Sequence, residues 1–309
     1  MSNWQHTDWS GFGRVWGALA IYLALVACLG SVVGWLLAYL VDYPFVKVVS
    51  RSILLVAALG LIPLYRLSGL TPHMAGWERS QGSIAATLIS SFLLGVLIIL
   101  PVFLFLFVTG HRVWDPVVDW LSMSFLAGAL VMLTTAWLAG TFEEVLFRGV
   151  LFGALRRYGS FWLTAVTTSL LYAAVHFLNP GDVDVEQSVV GGFSLLGIAF
   201  SGMFDRGGWD AWLPLFMLGL LFAWVREQFS LWACIAMHSA WVFSIRIYKE
   251  LTVRDDAHPY TIWVSDYDRI VGELVCIWLL FCFIVLTLRA QHLNLGPLGS
   301  GPKKERDTT

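Results

Sequence analysis

Gly140-Thr141-Phe142-Glu143-Glu144-Val145-Leu146-Phe147-Arg148-Gly149 places two adjacent carboxylates and a guanidinium between apolar runs at residues 125–138 and 150–155. Ionised groups at such a depth cost about 2.5–3.5 kcal/mol each on insertion scales, so they face a partner or a wet cavity. On a helix, Glu144 and Arg148 stand four apart on one face, while Glu143 points about 100° away. Glu144 is therefore placed to neutralise Arg148. Glu143 is left free to act on something else.

The rest of the chain supplies the depth that makes these charges costly. Of 309 residues, 58% are hydrophobic and only 13% charged, against about 25% charged in soluble domains, and mean hydropathy is +0.74. The apolar blocks are continuous and long enough to span a bilayer, which excludes the alternating pattern of a β-barrel. The expected fold is all-α, a polytopic membrane helix bundle of about eight transmembrane helices. A net charge of −2 leaves no footprint for nucleic acid. Cys28, Cys234, Cys276 and Cys282 all fall in apolar runs without zinc-finger or disulfide spacing and read as apolar packers.

Apolar blocks are expected near residues 16–41, 46–65, 87–108, 120–140, 161–178, 211–225, 229–245 and 270–288. The first is too long for a signal peptide and is taken as a retained span. Trp4, Trp9 and Phe12 suit an N-terminal segment at the membrane interface. Residues 109–118 read as a short loop, 179–210 as a long polar loop, 246–269 as a charged loop and the tail after Arg289 as disordered. This divides the chain into N-terminal helices at 1–119, a core at 120–245 and a last helix with its tail at 246–309. With eight spans, ten Lys or Arg lie on the side of the termini and eight on the other. That bias points to cytoplasmic termini in a cell (inner) membrane.

Two more ionisable residues sit in apolar runs: His176, closing Ser169-Leu-Leu-Tyr-Ala-Ala-Val-His176, and His238, within Leu231-Trp-Ala-Cys-Ile-Ala-Met-His238. Singly, each has an ordinary explanation. Glu144 with Arg148 is a buried ion pair, and a lone intramembrane His is a hydrogen-bonded core residue. One carboxylate and two imidazoles on three separate spans, however, are a set able to activate water in a bundle core. Tyr172, one turn before His176, is placed to orient it.

Glu143-Glu144-x-x-x-Arg148, then Tyr172-x-x-x-His176, then His238 resemble the three motifs of the CPBP family. That family comprises type II CAAX prenyl endopeptidases and bacteriocin-processing enzymes, also called Abi or glutamic-type intramembrane proteases. The 33-residue separation of Glu143 and His176 is similar to the family's spacing, and the resemblance covers about residues 120–245. It implies a metal-independent endopeptidase working in the lipid bilayer on a peptide or protein substrate. Glu143 and His176 would activate water, His238 would stabilise the oxyanion, and Glu144, Arg148 and Tyr172 would support them. Two positions depart from the pattern: Tyr172 stands where the family usually has Phe, and Val242 where it has Asn or Asp. Losing a donor near the oxyanion is worth about 2.7–4 kcal/mol of barrier unless another group replaces it.

Two alternatives remain open on the sequence. Glu143, His176 and His238 are also the ligand types of a catalytic His₂Glu zinc site, although no HExxH is present. Buried Glu, Arg and His also mark transporters, or an immunity or scaffold protein on the same fold.

Overall fold

A computed structural model describes residues 7–78, 83–203 and 208–292. Trp4, Arg79, Arg206 and the tail from residue 293 lie outside the described residues. The helices are α1 (Trp9–Leu37), α2 (Phe45–Leu67), the short α3 (Pro72–Ala75), α4 (Ile84–Val108) and α5 (Met123–Glu144). A π-helical turn (Val145–Leu151) and α6 (Phe152–Leu155) continue α5 without a break. Then come α7 (Phe161–His176), α8 (Val189–Ser201), α9 (Trp209–Gln228), α10 (Leu231–Leu251) and α11 (Glu273–His292). The fold is an all-α polytopic bundle. Among the described residues six helices are long and apolar enough to cross a membrane. The 16-residue α7 and α11 lie at the other two expected blocks, and neither is among those six.

Short polar side chains start these helices. Asp8, Ser83, Ser122, Ser160, Ser188 and Ser230 each accept a backbone N–H from the first turn of α1, α4, α5, α7, α8 and α10. Such caps satisfy donors that would otherwise be orphaned at a helix start. On the outside, Leu25, Leu59, Leu97 and Leu130 are exposed, a surface that water would not tolerate and lipid does. α9 and α10 are the central helices: 56% of each span is buried, against 28% of α1 and 11% of the α5 span.

α1 and α2 close on each other through glycine. A Cβ on Gly30 would fall 2.5 Å from Ile53 Cα, and one on Gly34 2.6 Å from Val49 Cα. The spacing Gly30-x-x-x-Gly34 lets the two backbones touch, the usual means of joining helices where both surroundings are apolar. In the other half, α10 packs against α4 and α5, and α7 against α9.

Three loop assignments need correction. The stretch 179–210 contains α8, which packs on α1 and α2; its 13 mostly apolar residues sit among Asp- and Gly-rich flanks that conceal them in the sequence. The 109–118 loop contains a strand, β1 (Arg112–Trp114), pairing antiparallel with β2 (Thr252–Arg254). The 246–269 stretch is helical as far as Leu251 and then holds β2 and a 3-10 turn (Pro259–Trp263). Buried Arg112 explains the pairing: its Nε donates to Thr252 Oγ1 at 2.8 Å and its Nη2 to the Thr252 carbonyl at 3.0 Å.

Candidate active site

Glu143 and Glu144 end α5, His176 ends α7, and His238 lies in the first half of α10. The fold brings all three spans together. Glu143 Oε2 stands 3.7 Å from His176 Nε2 and 3.7 Å from His238 Nε2. It is buried without a hydrogen-bond partner, although the carboxylate as a whole retains access, with 26% of its side chain exposed. These separations exceed a hydrogen bond. They suit a small molecule lying off the line between the groups.

Each imidazole is fixed from behind. His176 Nδ1 is 2.7 Å from the Tyr172 carbonyl. A carbonyl only accepts, so Nδ1 carries the hydrogen and Nε2 is the nitrogen turned toward Glu143. His238 Nδ1 is 2.8 Å from Glu144 Oε1, and a carboxylate likewise accepts, so His238 also turns Nε2 inward. The Phe222 ring stacks on His238 with centroids 5.3 Å apart. The Tyr172 ring meets His176 edge-on at 4.5 Å.

Glu144 does more than the sequence indicates. Its Oε1 accepts from Arg148 Nη1 at 2.9 Å, the expected four-residue pair, with both side chains almost fully buried. The same oxygen also holds His238. Arg148 is held in turn by the Gly219 carbonyl at 3.3 Å and by the face of Tyr172, with the guanidinium carbon 4.3 Å from the ring centre. Gly219 allows this because a Cβ there would sit 2.7 Å from Ser169 Cβ, too close for α7 and α9 to pack. The chain Gly219–Arg148–Glu144–His238 thus runs across three helices and ends on one imidazole. A carboxylate shared in this way fixes both the tautomer and the direction of the ring.

The π turn begins immediately after the two glutamates. Such wide turns concentrate at functional sites, and composition carries no trace of one. A cavity of about 130 Å³ adjoins the imidazoles, lined by Tyr172, His176, His238, Trp241 and Val242 and, from the loop before α11, by Tyr267 and Asp268. The last two are site residues that sequence reasoning missed. Val242 is on the cavity wall and offers no polar group. Trp241, one turn beyond His238, has a buried indole N–H without a partner. Among the described residues, no group of three or more His, Cys, Asp and Glu side chains is arranged to hold a metal ion.

Residues 124–244 match the family described as Rce1-like, type II CAAX prenyl endopeptidase Rce1-like. That stretch contains Glu143, Glu144, Arg148, Tyr172, His176 and His238. No curated protein and no solved structure matches the chain.

Proposed function

Starting from the Rce1-like protease family that residues 124–244 match, we propose that this membrane protein is a glutamic-type endopeptidase. It hydrolyses a peptide bond near the C-terminus or in a membrane-proximal segment of its substrate. The observation that carries this reading is the single unpartnered carboxylate oxygen of Glu143, 3.7 Å from two inward-turned imidazole nitrogens.

The chemistry follows from donors and acceptors. Water between Glu143 and His176 gives up a proton to Glu143 as its oxygen attacks the carbonyl carbon. The carbonyl π pair moves onto oxygen, where His238, in its protonated form, donates from Nε2. When that pair returns, the C–N bond breaks and the proton on Glu143 passes to the leaving nitrogen. Glu144, Arg148 and Tyr172 position and do not react. A groove of about 790 Å³ lined by Leu61, Tyr65, Trp137, Phe142 and Val145, with Arg66 and Trp77, flanks the Glu143 helix and suits an apolar part of the substrate.

The test is cleavage of a farnesylated CAAX peptide by purified protein in detergent. Activity is expected to survive dialysis against a chelator, and Glu143→Gln to lower it by about 10²–10⁴-fold, because Gln keeps the size but cannot take a proton. Silencing by the chelator with rescue by one equivalent of zinc would establish the His₂Glu zinc alternative instead. Val242 on the cavity wall favours a second reading, a non-catalytic protein on this fold; inactivity across substrate classes, with or without metal, would establish that one.

A further inference from the structure

The cavity beside the imidazoles has a wall that none of the motifs supplies. Residues 265–272 fold back on themselves ahead of α11. Ser265 N–H donates to the Val271 carbonyl at 2.9 Å and Arg269 N–H to the Ser265 carbonyl at 3.0 Å. Asp268 Oδ1 accepts from Ile270 N–H at 2.9 Å and Val271 N–H at 2.6 Å. Arg269 is held at φ 66°, the one positive φ outside glycine among the described residues. A non-glycine residue stays in that region only where its surroundings over-determine it, and such positions gather at functional sites. This loop holds Tyr267 on the cavity wall, its ring 5.3 Å from that of Phe177, the residue after His176.

We propose that Tyr267 is a catalytic residue of this site, donating its phenolic O–H to the carbonyl oxygen of the scissile bond as that oxygen becomes negative. The proposal rests on the hydrolytic reading above. Three observations lead to it.

The first is a count of donors. Both Nδ1–H groups are committed, to the Tyr172 carbonyl and to Glu144, so a ring donates from Nε2 only when protonated, the form assigned to His238 above, and neutral His176 presents an acceptor. Val242 has no donor, the Trp241 indole nitrogen is buried, and Tyr172 is only 1% exposed. Tyr267, 41% exposed, is the hydroxyl-bearing residue of the cavity wall that is not sealed in the interior. The second is its protonation. Partial burial of the phenol, then the charges of Asp268 and Glu143, push Tyr267 above its ordinary range, which favours the protonated form. The third is room. About 130 Å³ is the liquid volume of roughly four waters, enough for a peptide group between the rings and the loop.

In the reaction Tyr267 transfers nothing. It donates a hydrogen bond while the electron pair resides on oxygen and retains its proton when the C–N bond breaks, so the balance of the hydrolysis is unchanged. Donors of this kind act on the developing charge and leave ground-state binding nearly untouched.

The experiment is Tyr267→Phe, which keeps the ring on Phe177 and removes only the hydroxyl. With a farnesylated CAAX peptide, kcat is expected to fall about 10²–10³-fold with KM and melting temperature unchanged. A phosphonamidate analogue of the same peptide, whose tetrahedral anion imitates the transition state, should bind the variant more weakly by a similar factor. Wild-type kcat together with wild-type phosphonamidate affinity would overturn the proposal. A Glu143→Gln variant that cleaves at the wild-type rate would overturn the underlying hydrolytic reading instead. Wild-type protein that neither cleaves the peptide nor binds the phosphonamidate would overturn both.

Discussion

α1 and α2 meet through shape; α5, α7, α9 and α10 meet through charge. In the first pair Gly30 and Gly34 bring backbones together over Ile53 and Val49. In the second group Arg148, Glu144 and His238 are linked across the interior, with the Gly219 carbonyl at the Arg148 end. The difference lies in what one substitution can reach. A misfit at Gly34 meets the Val49 backbone and pushes α1 from α2. Loss of Glu144 removes partners from two buried groups at once, in surroundings where a charge has no water to turn to.

Glu143→Gln would break the comparison most sharply within one helix. It should lower kcat by about 10²–10⁴-fold and leave the melting temperature alone, because the inward oxygen it alters has no hydrogen-bond partner. Glu144→Ala, one residue on, should do the reverse first. Leaving Arg148 uncompensated costs about 3–5 kcal/mol, read as lost folded protein in membranes. Wild-type yield and thermal stability in that variant, with cleavage gone, would give Glu144 the chemical role.

Gly34→Val extends the test to the other half. Overpacking there should cost about 1–3 kcal/mol, while kcat per folded molecule stays at the wild-type value; a fall in kcat would show that the two halves are coupled. Stability against pH offers a finer probe. Burial holds the Asp268 carboxyl above its ordinary value of 3.8, so folding favours its protonated form. The stability this adds is complete below the unfolded value and is lost as pH rises through the raised one. Asp268→Asn keeps an oxygen for Ile270 and Val271, and should flatten the decline in melting temperature as pH rises above the ordinary carboxyl value. An unchanged decline would remove Asp268 from that account. The smallest effect is expected from Tyr172→Phe, because His176 is held by the backbone carbonyl and the ring, and both remain. A loss of about tenfold, or 1.4 kcal/mol, would assign the hydroxyl a role.

Much of this was legible in the sequence, for one physical reason. Glu143, Glu144, Arg148, His176 and His238 are ionisable residues in apolar runs, and such contrast is costly enough to mark them. Where contrast fails, reading fails. Tyr267 and Asp268 lie in a stretch already rich in charge, so nothing separates them from solvated neighbours. Trp241 counts as apolar by residue type, and only the fold reveals its unpaired N–H. The bond between Glu144 and His238 joins residues 94 apart in sequence, and the pairing of 112–114 with 252–254 spans still more. Neither leaves a local pattern.

A helix with a π turn is an ordinary helix that has absorbed one residue too many. Deleting any single residue from Val145–Leu151 would return that segment to α geometry without cutting the rod. Because a π turn takes more residues per turn, its surplus residue is absorbed with little net rotation between Glu144 before it and Phe152 after it. The turn therefore acts as slack: it takes up a residue that α geometry could hold only by rotating one end of the rod against the other.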